Sequence, residues 1–301
     1  MNDQLRTYLG NHASYFHEDD VVEISLNPDG CLFVERFGST PEMVGNIDAQ
    51  TAIRFLRFVA VSSDDTIERD NPTLSATVPG TPHRIEMLCP PVVRNPSFSV
   101  RRHRDISFPL ENFFEDKDAY QMFLTAIERR DNILIAGETG AGKTSFAKAM
   151  LHEIGRKDPD TRVLVLEDTD ELKPTISNAV CLLARRGVRS MDDLLHSTLR
   201  LAPDRIVVGE VRSGSTMMTL FKAWSTGHRG GLATIHADSA SDVIIRLEGL
   251  VSEVSLGDQS RLMASAIDLS VFIEKRRTGG KITSMSRFSV TNRKLHEEKL
   301  L

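Results

Sequence analysis

Apolar and polar positions split the chain into two differently patterned parts. Over residues 1–101 the pattern is mostly short alternation. Val21-Val22-Glu23-Ile24-Ser25-Leu26 and Cys31-Leu32-Phe33-Val34-Glu35-Arg36 flank the turn residues Asn27-Pro28-Asp29-Gly30, which predicts a β-hairpin. Ala52, Ile53, Leu56, Val59 and Ala60 share one face at helical spacing, and 74–78, 84–88 and 98–101 predict further short strands, the last two parted by Pro90-Pro91 and Asn95-Pro96. The first part is therefore an α+β domain.

Beyond it, strands alternate with helices, the pattern of an α/β domain whose parallel sheet is covered on both faces. Helices are predicted over 120–130, 191–201, 214–224, 241–251 and 261–268, and buried strands over 132–136, 162–166, 179–183, 205–210 and 232–236. A hairpin pairing 269–274 with 281–290 is predicted to turn at Gly279-Gly280, and 292–301 reads as a frayed or helical tail. Residues 102–117 read as a linker, entered through the basic run Arg101-Arg102-His103-Arg104, so the second domain spans 118–301.

Composition narrows the class. With 301 residues, 40% hydrophobic and 26% charged, the chain has room for two packed domains. A net charge of -5 gives no sign of a general nucleic-acid binder, and direct nucleic-acid binding is not expected. No apolar run is long enough to span a bilayer, and Met1-Asn2-Asp3-Gln4 lacks a signal-peptide layout, so a cytoplasmic location is expected. Cys31, Cys89 and Cys181 are too far apart to suggest a disulfide framework or a zinc site.

The chemistry centres on Gly137-Glu138-Thr139-Gly140-Ala141-Gly142-Lys143-Thr144, a phosphate-loop pattern lying between a predicted strand and a predicted helix that opens at Ser145. Glycines let such a backbone turn tightly and aim successive N–H groups inward, an anion nest at a helix N-terminus. These residues, with Ser145, are the expected nucleotide cradle. Lys143 would reach the β- and γ-phosphates of ATP, and the Thr144 hydroxyl would ligate Mg²⁺. Glu210 ends a hydrophobic strand as a Walker B acid does, able to hold Mg²⁺ through water or to orient the attacking water. Glu167 and Asp168 end another strand, and either could polarise that water. His228 and His236 lack partners spaced for a metal; one of them is expected as a sensor of a phosphate or a catalytic carboxylate. Arg84, Arg101 and Arg212 are candidate phosphate contacts.

Four boxes stand in order: Gly137 to Thr144, the acids from Glu167 to Glu171, Arg200-Leu201-Ala202-Pro203-Asp204-Arg205-Ile206-Val207-Val208-Gly209-Glu210-Val211-Arg212, and Thr226-Gly227-His228-Arg229-Gly230-Gly231-Leu232-Ala233-Thr234-Ile235-His236-Ala237. They resemble the Walker A, Asp, Walker B and His boxes of the secretion traffic ATPases, most closely the conjugal-transfer members serving type IV secretion. The resemblance implies a RecA-like P-loop NTPase domain after a smaller α+β domain, and catalytic roles for Lys143, Glu167, Glu210 and His236. It also implies Arg84 and Arg101 reaching the nucleotide phosphates, and a homo-hexamer peripheral on the cytoplasmic face of the inner membrane beside secretion-machinery proteins. Arg229 stands where the family has proline, and Glu138 and Ala141 vary the inner loop; neither change removes a catalytic group. The paired-cysteine zinc module of type II secretion motors is missing. A pilus-retraction-type motor, a RecA-like DNA motor, an ATP-binding scaffold and a small-molecule kinase are the rival readings.

Overall fold

In the computed structural model the described residues are 2–102, 108–185, 187–276 and 279–301. The chain divides into two compact units, Met1–Asp105 and Ile106–Leu301.

The first unit builds one antiparallel sheet from β1 (Val21–Leu26), β2 (Cys31–Arg36), β3 (Glu42–Asn46), β4 (Thr73–Thr77), β5 (Arg84–Leu88) and β6 (Ser97–Arg101), in the order β3-β2-β1-β6-β5-β4. Helix α2 (Ala49–Ser62) starts at Asp48, whose carboxylate accepts the Thr51 N–H at 3.0 Å, satisfying one of the orphan donors of the first turn. Its buried face, Ala52, Phe55, Leu56, Val59 and Ala60, packs on the sheet, with Phe55 edge-on to Phe16 and Phe98. Two parts carry no clear periodic signal: α1 (Asn2–Leu9), followed by a 3₁₀ turn over Gly10–Phe16, and β3. α1 buries little beyond Leu5 and Leu9, and β3 is a short edge strand whose Gly45 leaves room for the His12 ring.

The second unit holds α3 (Lys117–Glu128), β7 (Ile133–Gly137), α4 (Lys143–Lys157), β8 (Val163–Glu167), β9 (Ala179–Leu183), α5 (Met191–Thr198), β10 (Arg205–Val208), α6 (Gly214–Ser225), β11 (Leu232–His236), α7 (Asp242–Ser252), α8 (Ser260–Ala266), β12 (Leu269–Arg276), β13 (Gly279–Thr291) and β14 (Lys294–Lys299). The sheet runs β14-β13-β12-β7-β11-β10-β8-β9, parallel from β12 to β9 and antiparallel across β12, β13 and β14. Period-two alternation divides β7 between two cores. Ile133 and Ile135 join Phe123, Phe146 and Ile154 on one face, while Leu134 and Ala136 join Phe221, Trp224 and Leu247 on the other.

Three segments depart from the sequence reading. Residues 292–301 are neither frayed nor helical. Asn292 and Arg293 take φ of 53° and 62°, the left-handed pair of a tight two-residue hairpin turn, and β14 returns along β13. Gly279 and Gly280 do not form the turn but lie within β13, paired with Arg276 and Lys275 of β12. Within 102–117, Leu110, Phe113 and Phe114 are buried in the second unit's core, where Phe113 and Phe114 stack around Phe146 of α4. That aromatic packing braces the helix that follows the phosphate loop.

Candidate functional site

The parallel registers bring the four sequence boxes to one edge of the second unit's sheet. His236 lies opposite Gly137, and Leu166 opposite Val208, so the loop after β7, His236 at the end of β11, Glu210 after β10 and Glu167 at the end of β8 occupy consecutive strand ends. This is the carboxyl edge, where open α/β sheets bind ligands. With strands about 4.8 Å apart, β10 is roughly 10 Å from the phosphate-loop strand and β8 roughly 14 Å. Of the two acids, Glu210 is therefore the one closer to a phosphate chain.

The cradle has the shape the motif demands. Gly140 and Gly142 take φ of 75° and 97°, values that penalise any side chain, and Gly142 caps α4 in the left-handed region. Glu138, Thr139 and Gly140 are exposed, while Thr144 and Ser145 are half-buried at the first turn of α4, whose N-terminal N–H groups look for acceptors. Lys143 folds back over the loop, its ammonium donating to the carbonyls of Gly137 at 2.7 Å and Glu138 at 2.9 Å. A cation held inside a ring of exposed backbone is the position a triphosphate requires, so these residues fit a nucleotide and its metal.

Sequence reasoning missed the support beneath this loop. Gly137 lies so close to the Ile273 carbonyl of β12, and Gly280 of β13 so close to the Ala141 carbonyl, that a Cβ on either would overlap that oxygen. The glycine pair read as a turn is in part the wall on which the phosphate loop rests. Gly280→Ala should destabilise the protein by about 1–3 kcal/mol and raise KM for ATP more than it lowers kcat, because the displaced element is the binding loop. Thermal unfolding and steady-state kinetics on the same preparation check this, and an unchanged KM would remove Gly280 from the site.

The acids differ in environment. Glu167 is 4% exposed and accepts backbone N–H groups of Leu172 at 3.1 Å and Glu171 at 3.3 Å, its stem packed on Gly209, where a Cβ would stand 2.9 Å from Glu167 Cγ. Burial raises its pKa to about 7, the two backbone bonds opposing, and the charges of Glu171 and Asp170 add to the rise. Folding is thus favoured by the proton Glu167 keeps: that contribution is full below the ordinary carboxyl value near 4.5 and is lost as pH climbs through 7. Glu167→Gln removes the loss. The nucleotide-free variant should be as stable as wild type near pH 4.5 and more stable by up to about 3 kcal/mol above pH 7. Denaturant unfolding across that range tests it, and parallel pH curves for the two proteins would refute the buried-acid assignment.

Glu210 is partly exposed. Arg212 binds its carboxylate through Nε at 2.9 Å and Nη2 at 2.5 Å, and reaches Asp168 through Nη1 at 3.2 Å. Burial works against the Arg212 charge, but the hydrogen bond to Glu210 and the charges of Glu210, Asp168 and Glu171 leave its pKa raised. Arg212, read from sequence as a phosphate contact, is thus a clamp on two acids. His236 Nε2 lies 3.1 Å from Asp238 Oδ1, while its Nδ1 is buried and finds no partner among the described residues. His228 stands apart, ahead of β11, with its Nδ1 on the Ala223 carbonyl at 3.2 Å where α6 ends. Arg84 and Arg101 belong to the first unit, where the register sets them directly opposite each other across β5 and β6. Two like charges face each other there, with Glu23 across β1 from Arg101.

Comparison with known proteins adds an independent line. Residues 19–276 match the family described as type II/IV secretion system protein. The probable conjugal transfer protein TrbB of Sinorhizobium fredii is 38% identical over 309 residues, covering 98% of this chain and 94% of that protein. The type IV secretion system protein VirB11 of Bartonella henselae is 31% identical over 330 residues, covering 91% and 90%. Among solved structures, that of the pilus retraction motor PilT with bound ADP matches with a TM-score of 0.66 at 19% identity, covering 99% of this chain and 82% of that one.

Proposed function

The chain belongs to the type II/IV secretion system protein family, and from that premise we propose that it is a P-loop ATPase whose hydrolysis cycle powers type IV secretion or conjugal transfer. The observation that carries the reading is the row of consecutive strand ends: Lys143 in its glycine nest, then His236, Glu210 and Glu167. Phosphoryl transfer needs little covalent help from a protein; it needs positioning and charge. The loop amides and Lys143 bind and orient the triphosphate, and Thr144 and, through water, Glu210 are the residues to hold Mg²⁺, which when bound neutralises charge on the β- and γ-phosphate oxygens. Glu210 also orients the attacking water, and Arg212 holds that carboxylate in place through two hydrogen bonds. His236, opposite Gly137 on the neighbouring strand, is placed to sense the terminal phosphate.

Arg84 and Arg101 complete the charge balance in this reading. They stand directly opposite each other across β5 and β6, and the planar arginine fork suits phosphate oxygens. Nucleotide occupancy then draws the first unit towards the second and product loss releases it, the domain motion that does work. Six copies arranged head to tail would pass this motion around a closed ring peripheral on the cytoplasmic face of the inner membrane. Among the described residues no helix is long and apolar enough to cross a membrane. The test is ATPase rate against protein concentration, with mass determination with and without nucleotide. Turnover that rises steeply as a hexamer assembles is expected, and a fully active monomer would refute the ring.

A further inference from the structure

The carboxyl edge carries a feature that nucleotide chemistry leaves unused. β9 ends the sheet, and among the described residues only β8 pairs with it. Its sequence, Ala179-Val180-Cys181-Leu182-Leu183, has no charge and no proline, the devices that keep an open edge from pairing with another chain. Cys181 and Leu183 are exposed. Just past β9 the chain turns back on itself. The Val188 and Arg189 N–H groups both donate to the Arg185 carbonyl at 3.0 Å, and the Arg185 N–H donates to the Arg189 carbonyl at 2.9 Å, so the two arginines form an isolated antiparallel bridge. Neither guanidinium makes a direct hydrogen bond or ion pair among the described residues, although the Arg189 charge is felt by Asp193, and Val188 between them is 72% exposed. Asp168, Arg185, Val188, Arg189 and the start of α5 line an open depression of about 450 Å³.

We propose that the free edge of β9 and the bridged pair Arg185 and Arg189 form one docking site for an extended acidic segment of another protein. The segment would add as a strand beside β9, set carboxylates on Arg185 and Arg189, and rest an apolar side chain against Val188. Main-chain pairing supplies affinity on an edge that has no other means of satisfying its N–H and C=O groups except water, and the two arginines supply sign and register. The lining also holds Asp168 and Asp193, which a uniformly anionic nucleic-acid backbone would meet as repulsion, whereas a polypeptide can alternate acid with apolar side chains. The site reaches the chemistry as well. Asp168 lines the depression and pairs with Arg212 at 3.2 Å, and Arg212 grips Glu210, so an occupant pressing on Asp168 alters the hold on the Walker B acid. That coupling rests on the ATPase reading, whereas the docking itself does not.

The probe is a labelled octapeptide of alternating glutamate and valine, added to the full chain. Saturable binding is expected, weakened about 10-fold or more in Arg185→Glu/Arg189→Glu and reduced by salt. Amides of residues 179–183 and the Cys181 thiol should become protected from exchange and labelling, with the buried Cys89 as an internal control. Basal ATPase of the double variant should match wild type, and the peptide should change turnover in wild type alone; bound peptide without that change would confine the proposal to docking. Should the double variant unfold early, Arg185→Gln and Arg189→Gln singly carry the same comparison. The proposal is overturned by no saturation up to about 1 mM peptide, by equal binding to the double variant, or by displacement of the peptide by an oligothymidylate, which would assign the depression to nucleic acid. Protection of 179–183 that appears on raising protein concentration without peptide would show that copies of this chain cover the edge, and would overturn it too.

Discussion

Lys143→Ala should leave a folded protein that no longer hydrolyses ATP. Among the described residues the ammonium is the one positive side chain seated in the phosphate cradle, held by the Gly137 and Glu138 carbonyls before any ligand arrives. Deleting it leaves the nest its backbone N–H groups but no full charge against the β- and γ-oxygens. Loss of a single preorganised donor from a site of this kind lowers turnover by roughly 10²–10³, and loss of a full charge should do no less. The fold should not suffer: Lys143 is the first residue of α4, and alanine is the better helix former there. Phosphate release and calorimetric ATP affinity, measured beside thermal unfolding, separate the outcomes. A variant that unfolds normally and turns over at the wild-type rate would sink the catalytic assignment of the whole loop.

How much of this was legible in the sequence depends on how local each cause was. The phosphate loop, its strand and its helix could be read because the motif, the apolar run and the glycines lie within one short stretch, Asn132 to Met150. Glu167, Glu210 and His236 could be placed at strand ends by the same logic. What the sequence withheld was long-range. Gly280 and Ile273 brace the phosphate loop from strands more than a hundred residues away, and a Gly-Gly pair carries the same local signal whether it turns or merely makes room. Arg212 looked like a phosphate ligand because arginine near a Walker B acid has two available partners, and only the fold shows it already on Glu210 and Asp168. Asn292-Arg293 is not a typical left-handed pair, so the return strand β14 had no turn signal to announce it. His228 and His236 are alike as letters, and their separation follows from which end of β11 each occupies.

The second large effect separates the two acids. Glu210→Gln keeps the shape and the Arg212 contact but removes the charge, and both side chains are more than a third exposed, 35% and 56%, so the lost pair should cost stability under about 1 kcal/mol. Turnover should fall by about 10²–10⁴, the range that a positioned acid or base contributes, while ATP still binds, because the loop and Lys143 are untouched. The structure gives two reasons to expect this of Glu210 before Glu167. Glu210 is a strand nearer to the loop, and its carboxylate is partly open and gripped by Arg212, whereas Glu167 is buried, tied to the backbone of Glu171 and Leu172, and its pKa is raised to about 7. A buried acid with that pKa could still serve as a base near neutrality, which makes the comparison informative. Pre-steady-state hydrolysis by Glu210→Gln and Glu167→Gln, each with nucleotide affinity measured separately, decides it. If the Glu210 variant turns over normally and the Glu167 variant stalls, the water is oriented from β8, and the Arg212 clamp on Glu210 becomes a structural tie between neighbouring strand ends.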